Sequence, residues 1–153
     1  MDGTDKTALN PTRVADTVAE SLWQSESGRL YKPDTIFAHA TSTPLGDKSE
    51  AKALRTVFGD DLGGISITAL KSYIGHLLGG AGSINVVAAV MALNEGYIPQ
   101  IINLDNQDPE IMAYGPMDLV MKEPRGRNIN SVLALAYGFG GYNASLLLGK
   151  YQS

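Results

Sequence analysis

Val14, Val18 and Leu22 recur at helical spacing behind Pro11, and proline suits a first helical turn. The pattern predicts a helix from about Pro11 to Trp23. Ser25 to Lys32 is polar, contains Gly28 and reads as a loop. Thr35 to Ala38 reads as a short buried strand, followed by a polar turn from Thr41 to Gly46. A second helix is expected to open at Asp47, with Glu50 three residues later as an acidic capping box. Ala51, Leu54, Val57 and Phe58 supply its apolar face, and Gly59 to Gly64 ends it. Ile65 to Thr68 reads as another strand.

Gly75 to Asn94 is the most apolar segment, glycine-rich at first and then rich in Ala and Val. It predicts a buried central helix ending near Gly96, with Pro99 following as expected after a helix end. A helix apolar nearly all round needs cover on more than one side. The remainder reads as β-rich: Ile101-Ile102, Leu119 to Met121, Val132 to Ala136 and Ala144 to Leu148. The last two are separated by a turn at Gly138 to Gly141. Helices and strands in this order predict an α/β layered domain with no internal repeat.

Composition narrows the function. The 153 residues suffice for one domain with a core, and 44% hydrophobic against 18% charged residues is a globular balance. The net charge of −4 and the lack of a basic run speak against nucleic-acid binding. Cysteine is absent, which excludes disulfides and thiolate metal sites within the chain. The polar stretch from Met1 to Asn10 has no apolar core of the signal-peptide kind, and no apolar run reaches the length of a membrane span. A soluble, cytoplasmic protein with no membrane contact is expected.

The only histidines are His39 and His76, each predicted at the end of an element, His76 opening the glycine-rich helix. Strand ends and helix N-termini are well placed for a site. Taken singly, each is an ordinary hydrogen-bonded histidine. Their surroundings are His39-Ala40-Thr41-Ser42-Thr43-Pro44-Leu45-Gly46-Asp47 followed by Glu50, and Lys71-Ser72-Tyr73-Ile74-Gly75-His76 followed by Gly79-Gly80-Ala81-Gly82. With Gly138-Phe139-Gly140-Gly141-Tyr142-Asn143 and Ile98-Pro99-Gln100-Ile101-Ile102-Asn103-Leu104, these blocks resemble the β-ketoacyl synthase family, in the branch that elongates acyl chains on acyl carrier protein. The resemblance runs from about Gly3 to Tyr151, in order and with matching spacing.

The resemblance implies a thiolase-like α-β-α fold, of which residues 1–153 form the second of two similar halves. It implies decarboxylative condensation of malonyl-acyl carrier protein with an acyl group held on a cysteine. That cysteine belongs to the family's N-terminal half, so this chain alone is expected to be inactive. His39 and His76 match the two histidines of decarboxylation. Neutral imidazoles can donate hydrogen bonds to the developing enolate without burying a full charge. Lys71 matches the family's lysine, whose cation disfavours protonation of a neighbouring histidine. Glu50 matches the acid that partners it. Thr41 and Thr43, and more loosely Thr7, match hydroxyls that hold pantetheine. Phe139 matches the gating residue whose N–H completes the oxyanion hole. The implied partners are acyl carrier protein, a Cys-bearing N-terminal half and a dimer mate, and no cofactor or metal is called for.

The chain departs from the pattern at Ala40, where glycine is usual, at Ala136-Tyr137, where Ser-Phe is usual, and at Tyr142. A Cβ at position 40 either disturbs a tight backbone or, at negative φ, is tolerated. Two alternatives stand beside the enzyme. One is a non-catalytic partner of the chain-length-factor kind, against which the retained histidines and Lys71 argue. The other is a metal site from His39, His76, Asp47 and Glu50, whose spacing matches no metal motif.

Overall fold

The computed structural model describes residues 9–24 and 27–151. Its elements in chain order are α1 (Pro11–Leu22), β1 (Trp23–Gln24), β2 (Arg29–Leu30), β3 (Thr35–Phe37), α2 (Pro44–Phe58), β4 (Ser66–Thr68), α3 (Lys71–Ile74), α4 (Ala81–Glu95), β5 (Tyr97–Ile98), α5 (Pro109–Met112), β6 (Asp118–Leu119), β7 (Arg125–Gly126), β8 (Ser131–Gly138) and β9 (Tyr142–Gly149). The central sheet has the order β6-β4-β3-β8-β9. Its first four strands run parallel, and β9 returns antiparallel to β8 through the glycine turn.

Alternation along the strands builds two cores. Ile36, Leu133 and Leu135 face α1 and α2, where they meet Val14, Val18, Leu22, Leu54 and Phe58. Phe37, Val132 and Ala134 face the other way, against Ala89, Ala92 and Leu93 of α4. The result is a layered α-β-α domain. Because β3, β4 and β8 are parallel, the residues following them gather at one edge of the sheet, which is where ligands meet open α/β sheets.

The structure corrects the expected elements at several points. Helix α2 begins at Pro44 with Thr43 as its N-cap, not at Asp47. Pro44 carries the helical φ into the first turn, so the helix starts three residues earlier. Asp47 and Glu50 are then helix-interior residues, not a capping box. His76 does not open the long helix. It lies between α3 and a 3-10 turn at Leu78–Gly80, and α4 starts only at Ala81. Gly75, at φ +70°, breaks the run, a conformation glycine adopts without steric cost. Ile101-Ile102 is not a strand; β5 lies just before it and pairs with β7. Part of the expected loop from Ser25 to Lys32 belongs to the small β1–β2 pair.

Helix α4 buries Ala81, Asn85, Ala89, Ala92 and Leu93, and Gly96 closes it in the left-handed region. Its opposite flank leaves Val87, Val90 and Met91 open. Helix α1 is held differently at its start. The Asn10 side chain accepts from the N–H groups of Thr12 (3.0 Å) and Arg13 (3.3 Å). Asn10→Ala should therefore lower the unfolding free energy by about 0.5–2 kcal/mol, read by chemical denaturation, and Asn10→Asp should preserve it. An unchanged midpoint in the alanine variant would contradict the capping role.

Candidate active site

The site is built around the main chain that leaves β3. His39 is 5% exposed and Glu50 4% exposed. The two Glu50 carboxylate oxygens accept from the N–H of His39 (2.9 Å) and of Ala40 (2.8 Å). This clamp holds a bend in which Ala40 has φ +35° and Ser42 φ +61°. The bend accounts for the glycine usual at position 40, since a Cβ in this region is strained. Asp47 supports the next turn, accepting from the Ser42 N–H at 3.2 Å.

The His39 imidazole is fixed by its neighbours. Its Nδ1 accepts from the Tyr137 N–H at 3.1 Å, and the Tyr137 ring lies against it at 5.1 Å between centroids. Lys71 Nζ donates to the His39 carbonyl and lies 3.4 Å from Nδ1. An Nδ1 that accepts must be unprotonated, so the proton of the neutral ring sits on Nε2. Burial, then the charge of Lys71, then His76 push the His39 pKa down to about 3. His76 is set the same way inside its own loop, its Nδ1 accepting from the Leu78 N–H at 3.1 Å. The two rings stand edge to face at 5.4 Å. In each ring Nδ1 accepts, so the proton of the neutral form sits on Nε2.

The flanking charges are partly desolvated. Burial lowers the Lys71 pKa, and Glu50 and Asp47 oppose that fall. Burial pushes Glu50 up to about 7 against the pull of its two N–H donors. Burial likewise raises Asp47. Among the described residues no ion pair joins Glu50 to Lys71. Both act on His39 instead, one through its N–H and one through its carbonyl.

A cleft of about 610 Å³ opens beside the dyad, with Thr41, Thr43, Asp47, Glu50, Lys71 and His76 in its wall. The Thr41 and Thr43 hydroxyls are paired at 3.0 Å. They leave no room for a side chain at Gly46, where a Cβ would stand 2.5 Å from Thr43 Oγ1. The structure thus brings together His39, His76, Lys71, Glu50, Thr41 and Thr43. Neither His39, buried behind the cleft, nor Phe139 is in that wall. Phe139 is 72% exposed in the β8–β9 turn, beside Gly140 (φ +78°) and Gly141 (φ +76°). Thr7 lies outside the described residues. Among the described residues no cluster of His, Asp and Glu is arranged to hold a metal.

Sequence reasoning passed over Asn85, which is 2% exposed and donates to the carbonyls of Ala38 and Leu135. The available signal was one amide within the apolar run Ile84-Asn85-Val86, since a buried amide requires partners. It also noticed Tyr137 only as a departure, although its backbone N–H sets the His39 tautomer.

Fold and site together define a thiolase-like domain carrying a pair of facing imidazoles. Residues 2–105 match the family described as "Beta-ketoacyl synthase, C-terminal domain", and the chain belongs to that family. It is 42% identical over 117 residues, 76% of its length, to a 3-oxoacyl-[acyl-carrier-protein] synthase 2 of Synechocystis, of which it covers 27%. Among solved structures it resembles the ishigamide ketosynthase/chain length factor, at TM-score 0.86 and 31% identity over 99% of this chain and 36% of that one. It also resembles a ketosynthase in complex with its type II acyl-carrier protein, at TM-score 0.86 and 25% identity over 98% of this chain and 36% of that one. The chain spans about a quarter of the length of the curated relatives it matches.

Because Ala40 sits at positive φ, Ala40→Gly should relieve about 1–2 kcal/mol of backbone strain and give back about 0.5–1 kcal/mol in unfolded-chain entropy. The expected outcome in chemical denaturation is unchanged or slightly greater stability. A loss of about 1 kcal/mol, as at an ordinary alanine, would contradict the strained bend.

Proposed function

We propose that the chain is the histidine-bearing C-terminal half of a β-ketoacyl-acyl carrier protein synthase. The observation that carries this reading is the pair of imidazoles held edge to face, each accepting a backbone N–H at Nδ1, which leaves Nε2 as the donor of the neutral ring. When malonyl-acyl carrier protein loses carbon dioxide, negative charge develops on the thioester oxygen, and two preorganised N–H donors are suited to that charge. The enolate carbon then attacks an acyl thioester, forming the carbon–carbon bond of the 3-ketoacyl product and releasing the cysteine thiolate. Burial, reinforced by like-charge repulsion from Lys71, keeps His39 neutral. Glu50 holds the His39–Ala40 backbone, and Thr41, Thr43 and Thr7 bond the pantetheine amides. The Phe139 N–H, on its glycine-flanked turn, completes the oxyanion hole for the acyl thioester.

The cysteine would come from an N-terminal half, because this chain has none. The open apolar flank of α4, with Val87, Val90 and Met91, supports a covering surface from that half or from a dimer mate. Without the other half the chain should form no 3-ketoacyl product. A chain-length-factor-like role is the second reading. The likeness to a ketosynthase/chain length factor favours it, and the intact His39–His76–Lys71 cluster opposes it.

The test is co-expression with a Cys-bearing N-terminal half, followed by separate assays of malonyl decarboxylation and acyl loading. His39→Ala and His76→Ala should each lower decarboxylation by about 10²–10³. Acyl loading should suffer less, because its oxyanion hole uses backbone N–H groups. Decarboxylation unchanged in either variant would overturn that residue's role. Equal loss of both activities would mark a structural histidine.

A further inference from the structure

The register between β3 and β8 ends at the pair Phe37 and Ala134. Beyond it the strands lead to His39 and Tyr137, and main-chain groups on their facing edges take side-chain partners. The Tyr137 N–H goes to His39 Nδ1. The Leu135 carbonyl, on the same edge of β8, accepts from Asn85 Nδ2 at 2.9 Å, and the Ala38 carbonyl accepts from the same nitrogen at 3.3 Å. Both partners are carbonyl oxygens, so the amide nitrogen must face them. Helix α4 delivers the amide by close approach. A Cβ at Gly82, less than one turn earlier, would lie 3.2 Å from Ala136 Cβ.

The Ala38 carbonyl and the His39 N–H belong to one peptide plane. Asn85 holds its oxygen, and Glu50 holds its nitrogen at 2.9 Å. A planar peptide held at both ends cannot rotate about its flanking bonds without breaking one of them. Asn85 also bridges to Leu135, two residues before the N–H that sets the His39 tautomer. We propose that Asn85 is a positioning residue for His39, joining the splayed ends of β3 and β8 so that Tyr137 N–H meets Nδ1. Its importance for turnover rests on the reading of His39 as a donor, but the geometry does not.

The test is ¹⁵N NMR of the two histidine rings in the full chain at neutral pH, comparing wild type with Asn85→Leu and Asn85→Asp. Asn85→Leu keeps the approximate volume and removes both donors. His39 should shift from one separated pair of ring-nitrogen signals toward an averaged pair. His76, tied within its own loop, should not move. In Asn85→Asp the new carboxylate faces two carbonyl oxygens, so His39 should again lose its separated signals. Lowering the pH until that buried carboxyl takes a proton restores one donor and should bring them back. If Asn85→Leu fails to fold, the pH response of Asn85→Asp decides alone. Unchanged His39 signals, equal movement of both histidines, or a pH-independent pattern in Asn85→Asp would overturn the proposal. Any of these results would leave the decarboxylation reading to its own assay.

Discussion

One hydrogen bond organises the site: the Tyr137 N–H donated to His39 Nδ1 across the gap between two parallel strands. It occurs because the β3–β8 ladder stops at Phe37 and Ala134, leaving main-chain groups beyond that pair in need of partners. His39 satisfies one of them and takes its tautomer from doing so. The strain at Ala40, the clamp by Glu50 and the approach of Lys71 to the His39 carbonyl all serve to bring the imidazole there.

The electrostatics follow from the same crowding. His39 would take a proton near pH 6.5 in the unfolded chain and only near 3 in the fold. The unfolded state therefore binds more protons between those values. The stability associated with neutral His39 is present above pH 6.5 and lost as pH falls toward 3. Glu50 has the opposite sign. Its folded pKa, about 7, lies above the ordinary 4.5, so its contribution is present below 4.5 and lost as pH rises through 7. The two trends oppose each other between pH 4.5 and 6.5. Burial shifts Asp47 and Lys71 as well, so no single group sets the pH of maximum stability.

Much of this was legible in the chain. The spacing of Val14, Val18 and Leu22 placed α1, and the short apolar runs placed β3, β4, β8 and β9. The motif blocks named six side chains that do converge. What was not legible depends on long-range geometry. Asp47 and Glu50 read locally as a cap, yet Pro44 starts the helix earlier and turns both carboxylates toward the His39–Ser42 bend. His76 read as a helix N-terminus because Gly75 to Asn94 is predominantly apolar, and hydropathy does not reveal the positive-φ break at Gly75. The functions of Asn85 and of the Tyr137 backbone depend on which carbonyls and N–H groups the sheet leaves unpaired, which becomes visible only once the strands are aligned.

The central claim is that His39 is a neutral Nε2–H donor whose tautomer the backbone enforces. Its most direct test is a pH titration of the His39 ring nitrogens by ¹⁵N NMR in the full chain, from pH 8 down to pH 4. Nδ1 should remain unprotonated and Nε2 protonated throughout, with the ring taking its second proton only on further acidification toward about pH 3. A midpoint near 6.5, or a mixture of tautomers at neutral pH, would contradict it.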